Sequence, residues 1–406
     1  MAATTLDMDL ADPDVHAAGI PHALFAHLRR ERPVCWLSDR EGRGFWAVTS
    51  LRHVEEVSNR SEVFSSARRH GGFRLFDEAD RHLRLPASIL SADPPEHTQH
   101  RRLLAAALSA AKLTELRQSV RARSIALIEA MIGNPGPVDL VTDFAAPLTM
   151  GTFLQLIGAP PEDAGRFRRW SNALVGDQDP EYAYDWETLA REVAGFAFEL
   201  WGRKAADPGD DLTSVFGSSE ARDAGVTFLD FLSTLLVLIV AGNETTRNSL
   251  LGGALALMGD RAQFDLVAAD RSLIRPMVQE AVRWTSPIIY MRRTATAETV
   301  LGEAIILPGQ RVVMWYSSAN FDETVFADAP RFDVRRFAAA DAPAHIGFGV
   351  GAHRCIGRRL AEMQLQIAFE ELTARVGEIS PLAEPRRIRS NFINGFKSMP
   401  VALAPA

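Results

Sequence analysis

Hydrophobic positions recur at helical spacing along most of the chain. In the last such segment Ile356, Leu360, Met363 and Ile367 share one face, and Glu362 stands among the polar positions between them. The same periodicity appears in six earlier segments. We therefore predict helices over residues 97–108, 113–132, 144–157, 186–206, 228–258, 276–284 and 355–376.

Short runs of aromatic and β-branched residues predict a smaller β component. The runs at 34–37 and 45–48 flank a turn-like segment, 41–44, and predict a hairpin. A second group of strands is predicted over 295–302, 304–307 and 311–314. We find no internal repeat and no linker rich in Pro, Gly or Ser. The expected fold is mainly α with a minor β region, in one domain spanning 1–406.

Composition and charge narrow the class of protein. Hydrophobic residues make up 47% and charged residues 23% of the chain, which excludes a disordered or fibrous protein. The net charge of −7 argues against a nucleic-acid binder. Two cysteines provide no disulfide framework. The first residues lack the pattern of a signal peptide. The apolar run 231–242 is too short for a membrane span. We expect a cytoplasmic protein without a membrane anchor.

The segment around Cys355 reads Gly-Phe-Gly-Val-Gly-Ala-His-Arg-Cys-Ile-Gly over 347–357. Its glycines allow tight turns and a close approach to a flat partner. Cys355 stands at the predicted start of the final helix, where free N–H groups lower the pKa of a thiol. An isolated cysteine is more often a small buried hydrophobic residue. The surrounding sequence favours a metal ligand instead, and a single thiolate suits haem iron better than zinc.

A second candidate site interrupts the apolar helix predicted over 228–258. The sequence Ala-Gly-Asn-Glu-Thr-Thr occupies 241–246. Gly242 weakens the helix, and threonine hydroxyls can bond to carbonyl groups one turn earlier. An acid beside an alcohol, here Glu244 and Thr245, suits proton transfer to a bound ligand. The alternative is an exposed polar turn, but the apolar residues that precede it favour a functional site.

Two further clusters of charge stand out. His97 and Arg101 lie one helical turn apart, and together with Arg293 and His353 they offer cations for two anionic groups; an ordinary polar helix face is the alternative for the histidine. Glu280, Arg283 and Arg336 are predicted to form a buried structural network. The alternative for the first two is a solvated surface pair.

Together these motifs resemble those of the cytochrome P450 superfamily of haem-thiolate monooxygenases, of the bacterial soluble type. Residues 348–357 match the pattern F-x-x-G-x-H-R-C-x-G, and 241–246 match A/G-G-x-D/E-T-T. Residues 280–283 match E-x-x-R, and 332–337 are similar to the later aromatic–arginine segment. Residues 93–101 resemble an early helix that contacts the haem propionates. The motifs occur in the family's order along nearly the whole chain.

The resemblance implies the cytochrome P450 fold, a large helical domain around haem with a small β-rich part, and a role for each motif. The cofactor would be haem b (iron protoporphyrin IX), with Cys355 as the iron ligand. Glu244 and Thr245 would deliver protons during oxygen activation, and Arg292 competes with Arg293 for one propionate role. The residues that would hold the haem are His97, Arg101, Arg293, Phe348, Gly349, His353, Cys355 and Gly357.

The implied reaction inserts one oxygen atom of O2 into a C–H bond of a hydrophobic small molecule, such as a terpenoid, steroid, fatty acid or aromatic compound. No flavin or iron–sulfur segment is evident, so electrons would come from a separate ferredoxin and ferredoxin reductase. Exposed arginines would form a basic docking patch on a monomeric enzyme. The candidates for that patch are Arg102, Arg354, Arg358 and Arg359.

Two alternative functions remain at this point. A peroxide-driven peroxygenase would not need Glu244 and Thr245, and a non-catalytic haem or ligand sensor would need neither the proton relay nor a roomy pocket. The substrate pocket is expected to be apolar and aromatic. Its candidate residues are Phe73, Phe76, Ile89, Leu90, Val237, Val240, Ala241, Ile289, Met291, Phe392 and Ile393.

Overall fold

Helices form most of the computed structural model, which describes residues 8–39, 42–75, 88–207, 209–218, 221, 223 and 225–406. The α-helices are Pro13–Ala17 (α1), His22–Glu31 (α2), Leu51–Asn59 (α3), Glu96–Ala107 (α4), Ala110–Gly133 (α5), Ala146–Ile157 (α6), Ala164–Val175 (α7), Trp186–Ala206 (α8), Phe228–Ala241 (α9), Glu244–Gly259 (α10), Arg261–Ala269 (α11), Ile274–Thr285 (α12), Tyr316–Ala319 (α13) and Arg358–Arg375 (α14). A π-helical stretch, Leu140–Ala145, leads into α6. Short 3-10 turns occupy Arg68–His70, Pro161–Asp163, Pro180–Tyr182, Thr213–Gly217, Arg271–Leu273 and Gly351–His353.

The long central helix predicted over 228–258 is divided into α9 and α10. A capping box fixes its start, because Thr227 and Asp230 bond to each other's backbone N–H groups. At the break, the Thr245 hydroxyl donates to the Ala241 carbonyl over 3.1 Å, as the sequence predicts for a local opening of the helix. Gly242 is required there, since a Cβ atom would lie 2.7 Å from the Phe153 ring.

The final helix begins later than predicted. It starts at Arg358, three residues after Cys355, because the chain first forms a 3-10 turn over Gly351–His353 and only then becomes helical. The other predicted helices are confirmed, with ends that differ by a few residues. Helices α1, α2, α3, α7, α11 and α13 were not predicted.

The strands form two main sheets and two hairpins. The strands are Val34–Leu37 (β1), Phe45–Val48 (β2), Phe64–Ser65 (β3), Val138–Asp139 (β4), Tyr290–Ala295 (β5), Thr299–Leu301 (β6), Ala304–Ile306 (β7), Arg311–Trp315 (β8), Val376–Pro381 (β9), Arg386–Arg387 (β10), Phe396–Ser398 (β11) and Pro400–Pro405 (β12). One sheet has the order β1-β2-β8-β5-β3 and is antiparallel except between β2 and β8. The other, β4-β12-β9, joins the C-terminal strands to the start of the π-helical stretch.

The predicted hairpin of β1 and β2 is confirmed, with Trp36 opposite Trp46. The strand predicted over 295–302 is wrong as a single element. Ala295 instead ends β5, which begins at Tyr290, and β6 forms a separate small hairpin with β7. The strands after α14 were not predicted.

The largest hydrophobic core lies among the helices, and two smaller cores flank the first sheet. Two helical segments, Leu140–Ile157 and Phe228–Gly259, are long and apolar enough to cross a bilayer. Their most apolar windows are 67% and 44% buried inside the structure. Buried core helices meet the same criterion. Phe228–Gly259 lines much of the cavity described next, to which Leu140–Ile157 contributes Leu156.

Candidate active site

A cavity separates the helix break from the cysteine loop. Ala241, Gly242 and Thr245 line one wall, and Cys355 lines the other. The Cys355 side chain is accessible, yet protein atoms surround it closely, so its exposed surface faces this cavity. The motifs at 241–246 and 347–357, more than 100 residues apart in sequence, therefore meet across one space.

The backbone of the cysteine loop is held by its own hydrogen bonds. The Cys355 N–H donates to the Phe348 carbonyl over 2.8 Å, which closes the loop. Gly349 and Gly351 have φ angles of +65° and +72°, a region that favours glycine. A Cβ atom at Gly351 would also lie 2.5 Å from the Ser58 carbonyl oxygen. Phe348, Gly349 and Gly357 all line the cavity, as the sequence predicts for the cofactor-holding loop.

The predicted lowering of the Cys355 pKa is wrong for the protein alone. Burial raises the pKa of this thiol, and the backbone N–H groups of Gly357 and Arg358 and the charge of Arg101 only partly oppose that effect. The helix begins at Arg358, so fewer of its N–H groups reach the sulfur than a start at 355 would allow. A metal ion that binds the sulfur would supply the missing stabilisation of the thiolate.

The four predicted cations meet at one edge of the cavity. His97, Arg101, Arg293 and His353 all line it, and the two imidazole rings lie 4.2 Å apart between centroids. Burial, together with the neighbouring arginine charges, lowers the pKa of His97 and lowers that of His353 to about 2. His353 contacts the Ser66 hydroxyl over 3.0 Å.

His97 is the unexplained member of this cation cluster. It is 2% exposed, and neither ring nitrogen has a hydrogen-bond partner among the described residues. Buried polar atoms normally have partners, so this ring is prepared for a group that the protein itself does not supply. Because arginines surround the His97 ring, an anion is the hydrogen-bond partner that suits it best.

The choice between Arg292 and Arg293 is settled by their directions. Arg293 lines the cavity, and burial lowers its pKa. Arg292 instead donates to the backbone carbonyls of His70, Arg74 and Leu75 on the other side of β5. Adjacent residues of a strand point to opposite faces, so only Arg293 reaches the cavity.

The two members of the predicted acid–alcohol pair begin α10 and point to different sides of it. Thr245 faces the cavity, but Glu244 is fully buried behind it and does not line the cavity. Its carboxylate pairs with Arg247 and accepts hydrogen bonds from Ser171 over 2.8 Å and from Asn243 over 3.0 Å. A proton held by Glu244 therefore reaches the cavity only if the side chain turns.

The structure brings Glu280, Arg283 and Arg336 together, as the sequence predicts. Arg283 donates to both Glu280 oxygens over 2.7 and 2.8 Å, and Arg336 Nε lies 3.1 Å from each of them. This network lies outside the cavity lining, which fits the structural role expected for it.

Some of the predicted substrate residues line the cavity, whereas others lie in the hydrophobic core. Ile289 and Ile393 are at most 1% exposed, belong to the core beside the first sheet and do not line the cavity, so those two predictions are wrong. Ile288, a sequence candidate from the same turn as Ile289, does line the cavity. Phe76 lies outside the described residues. The predicted residues that do line it are Phe73, Ile89, Leu90, Val237, Val240, Ala241, Met291 and Phe392.

The sequence also missed part of the cavity wall. Helix α7 contributes Leu174 and Val175, α8 contributes Trp186, and Leu156 and Leu212 complete this apolar side. Apolar periodicity was the available signal, but the same periodicity marks core packing, so it does not identify a pocket by itself.

Comparison with known proteins identifies the family. The family model described as Cytochrome P450 matches residues 267–375. Over 98% of its length the chain is 41% identical to linalool 8-monooxygenase from Pseudomonas putida, of which it covers 99%. The chain belongs to the cytochrome P450 family. It is also 34% identical to a steroid C26-monooxygenase from Rhodococcus jostii, with 97% of this chain and 84% of that protein covered.

Solved P450 structures share the whole fold. Cytochrome P450-153 from Novosphingobium aromaticivorans has a TM-score of 0.86 and 32% identity, covering 99% of this chain and 100% of its own. Mycobacterium marinum CYP268A2, solved with pseudoionone, has a TM-score of 0.87 and 31% identity, covering 99% of each chain. The protein is thus a P450 monooxygenase of the bacterial type with the P450 fold.

The residues present fit the haem-thiolate group that defines this family. One accessible thiol and one buried cation cluster share a cavity, and His97 has unpartnered nitrogens there. Among the described residues no cluster of three or more His, Cys, Asp or Glu side chains offers an alternative metal site. A single axial sulfur ligand is what a haem iron needs from the protein.

Proposed function

We propose that this P450 hydroxylates a hydrophobic, terpenoid-sized substrate, using haem b held between Cys355 and the helix break. The observation that carries the proposal is the placement of Cys355 and Thr245 on opposite walls of one cavity, with the cation cluster at its edge. Cys355 would bind the iron. His97, Arg101, Arg293 and His353 would pair with the two propionates.

When bound, the haem supplies the redox chemistry that activates O2, assisted by electron donation from a thiolate ligand. The chain's own residues do the rest. Thr245 presents its hydroxyl to the cavity, where it hands a proton onward and accepts another from Glu244. In its buried position Glu244 is ion-paired with Arg247. It would take up that proton and pass it on only after its side chain turns toward the cavity. The apolar wall excludes bulk water and limits loss of protons to side reactions.

The substrate class is argued from the wall and from the relatives. The predicted wall residues that line the cavity are aliphatic or aromatic, so binding depends mainly on buried apolar area. Linalool, steroids and methyl-branched lipids are the substrates in the names of the relatives. The greatest similarity among these is to the linalool enzyme, which favours an acyclic terpenoid over a fatty acid, a steroid or an aromatic hydrocarbon.

Electrons would come from a ferredoxin and its reductase. Arg102, Arg354 and Arg359 are exposed, and Arg358 forms an ion pair with Glu362. An acidic ferredoxin would find this patch on the side of the molecule that carries the cysteine loop. The match to a relative over 98% of the chain supports a single domain over 1–406. We further propose that this domain acts in the cytoplasm as a monomer.

The test is a substrate titration of the purified, haem-loaded protein. Linalool, a methyl-branched fatty acid, a steroid and an aromatic hydrocarbon are added separately, and the Soret band is followed for the shift that marks displacement of water. We expect linalool to give the largest shift and a hydroxylated product with a surrogate ferredoxin pair. The reduced protein with carbon monoxide should show the thiolate-type band, and Cys355→Ser should lose it.

Other outcomes would select other functions. Product formed as efficiently with peroxide as with redox partners would favour a peroxygenase. A spectral shift without any turnover would favour a ligand sensor. Absence of the thiolate-type band in the unaltered protein would refute the haem assignment itself.

A further inference from the structure

Asn243 occupies the centre of the break between α9 and α10. It is 1% exposed, and its backbone angles of −117° and −56° depart from regular helix. Its side-chain oxygen accepts a hydrogen bond from the Thr149 hydroxyl over 2.7 Å. Its side-chain nitrogen donates to Glu244 over 3.0 Å and lies 3.4 Å from the Ser171 hydroxyl. One amide thus connects α6, α7 and the start of α10.

The chemistry of the partners fixes the orientation of this amide. An ionised carboxylate only accepts hydrogen bonds, so the group facing Glu244 must be the NH2 of Asn243. The oxygen must then face Thr149, whose hydroxyl can donate. A residue of the same size without the NH2 group would leave the carboxylate oxygen with one donor fewer in a fully buried site.

We propose that Asn243 is a positioning residue. It holds the carboxylate of Glu244 against α7 and so determines the position from which that side chain rotates toward Thr245. The proposal rests on the proposed function, in which Glu244 supplies the proton. Three donors hold this carboxylate: Ser171, Arg247 and Asn243. Of the three, Asn243 alone is also anchored to α6, through Thr149. It therefore links the position of the acid to the position of the helix break.

The decisive variant is Asn243→Asp, which preserves shape but replaces the donor with a second acceptor. The new carboxylate would face Glu244 and repel it. In the haem-loaded enzyme we expect product formed per NAD(P)H consumed to fall by about three-fold or more, as for the loss of one hydrogen bond to a charged group. The midpoint of thermal unfolding should fall as well.

The double variant Asn243→Asp with Glu244→Gln restores the pair with exchanged roles, because the new amide at 244 can donate to the new carboxylate at 243. We expect the unfolding midpoint to recover toward that of the parent protein, while product per NAD(P)H stays low because no acid remains at 244. Recovery of stability is a readout that does not depend on turnover. A midpoint that falls further in the double variant would overturn the pairing.

Thr149→Val is the matched control, since it removes the bond on the far side of Asn243 and leaves the bond to Glu244. Product per NAD(P)H should fall clearly less than in Asn243→Asp, because the direct donor to Glu244 remains. An equal loss in this control would mean that packing at the break matters and not the carboxylate. If Glu244→Gln alone kept full product yield, the proton relay would fail; if it lost yield but Asn243→Asp did not, only the present proposal would fail.

Discussion

Two helices of this P450 carry the same local motif, a glutamate three residues before an arginine, both buried. In α12 the pair is Glu280 and Arg283, and in α10 it is Glu244 and Arg247. The first pair is closed by Arg336, which reaches the same carboxylate. The second pair borders a break in its helix and is held by neutral side chains.

The two arginines differ in how completely they are satisfied. Arg283 also donates to the carbonyl oxygens of Asn320 and Arg331, and the N–H of Asp333 donates to Glu280. Arg247 Nε has no hydrogen-bond partner among the described residues. A fully bonded network resists rearrangement, whereas a partly bonded one can exchange partners at lower cost. In the proposed function, the same sequence motif would therefore provide a fixed support in α12 and a movable acid in α10.

The largest expected effect is the loss of stability when the Glu280–Arg283 pair of α12 is broken. Arg283→Met removes a guanidinium that is fully buried and leaves Glu280 with only Arg336 and the Asp333 N–H among its described partners. We expect the free energy of unfolding to fall by about 3 to 5 kcal/mol, measured by denaturant titration. Arg336→Met is the control; its side chain is 9% exposed and leaves the main pair intact, so it should cost less. Equal costs would show that the pair is not the centre of the network.

The sequence predicted the long elements of this fold well. Apolar periodicity located α5, α8 and α14 because each packs one face against other helices over several turns. Helix α3 was also within reach, since Leu51, Val54 and Val57 recur at helical spacing. The strands β9 and β12 were not, because their pairing depends on partners about 20 residues apart and on no local turn signal.

Within the site, the sequence predicted which motifs take part, but it did not predict the directions in which the individual side chains point. The cysteine loop and the cation cluster were located because their chemistry is unusual at those spacings. Glu244 and Thr245 point to different sides, since consecutive residues of a helix are separated by about 100°. Of the neighbouring candidates Ile288 and Ile289 only the first lines the cavity, because consecutive side chains of an extended segment point to opposite faces.

The next prediction distinguishes Glu244, the proposed proton donor, from Glu280, which supports the fold. Glu244→Gln should lower product per NAD(P)H by about ten-fold or more, because an amide cannot donate the proton of an acid. Glu280→Gln should leave the product yield of haem-loaded protein unchanged, but it should lower the free energy of unfolding further than Glu244→Gln by about 1 to 2 kcal/mol, since its carboxylate serves two arginines. The measurements are coupled turnover and denaturant unfolding on both variants. Parallel losses in the two would refute the distinction between a movable and a fixed acid.

The smallest expected effect tests how loosely the movable acid is held. Ser171→Ala removes the hydroxyl that donates to Glu244 over 2.8 Å, but Asn243 still donates to the same oxygen. We expect the free energy of unfolding to fall by about 1 kcal/mol, measured by denaturant titration. The reason is that the Glu244 oxygen loses one of its two side-chain donors and gains no other. Thr373→Ala is a matched control, as its buried hydroxyl donates to the Phe369 carbonyl within α14 and not to Glu244. Both variants should lose similar stability, whereas only Ser171→Ala should change product per NAD(P)H. A loss at Ser171 as large as that at Arg283 would mean that α10 holds its acid as rigidly as α12 does.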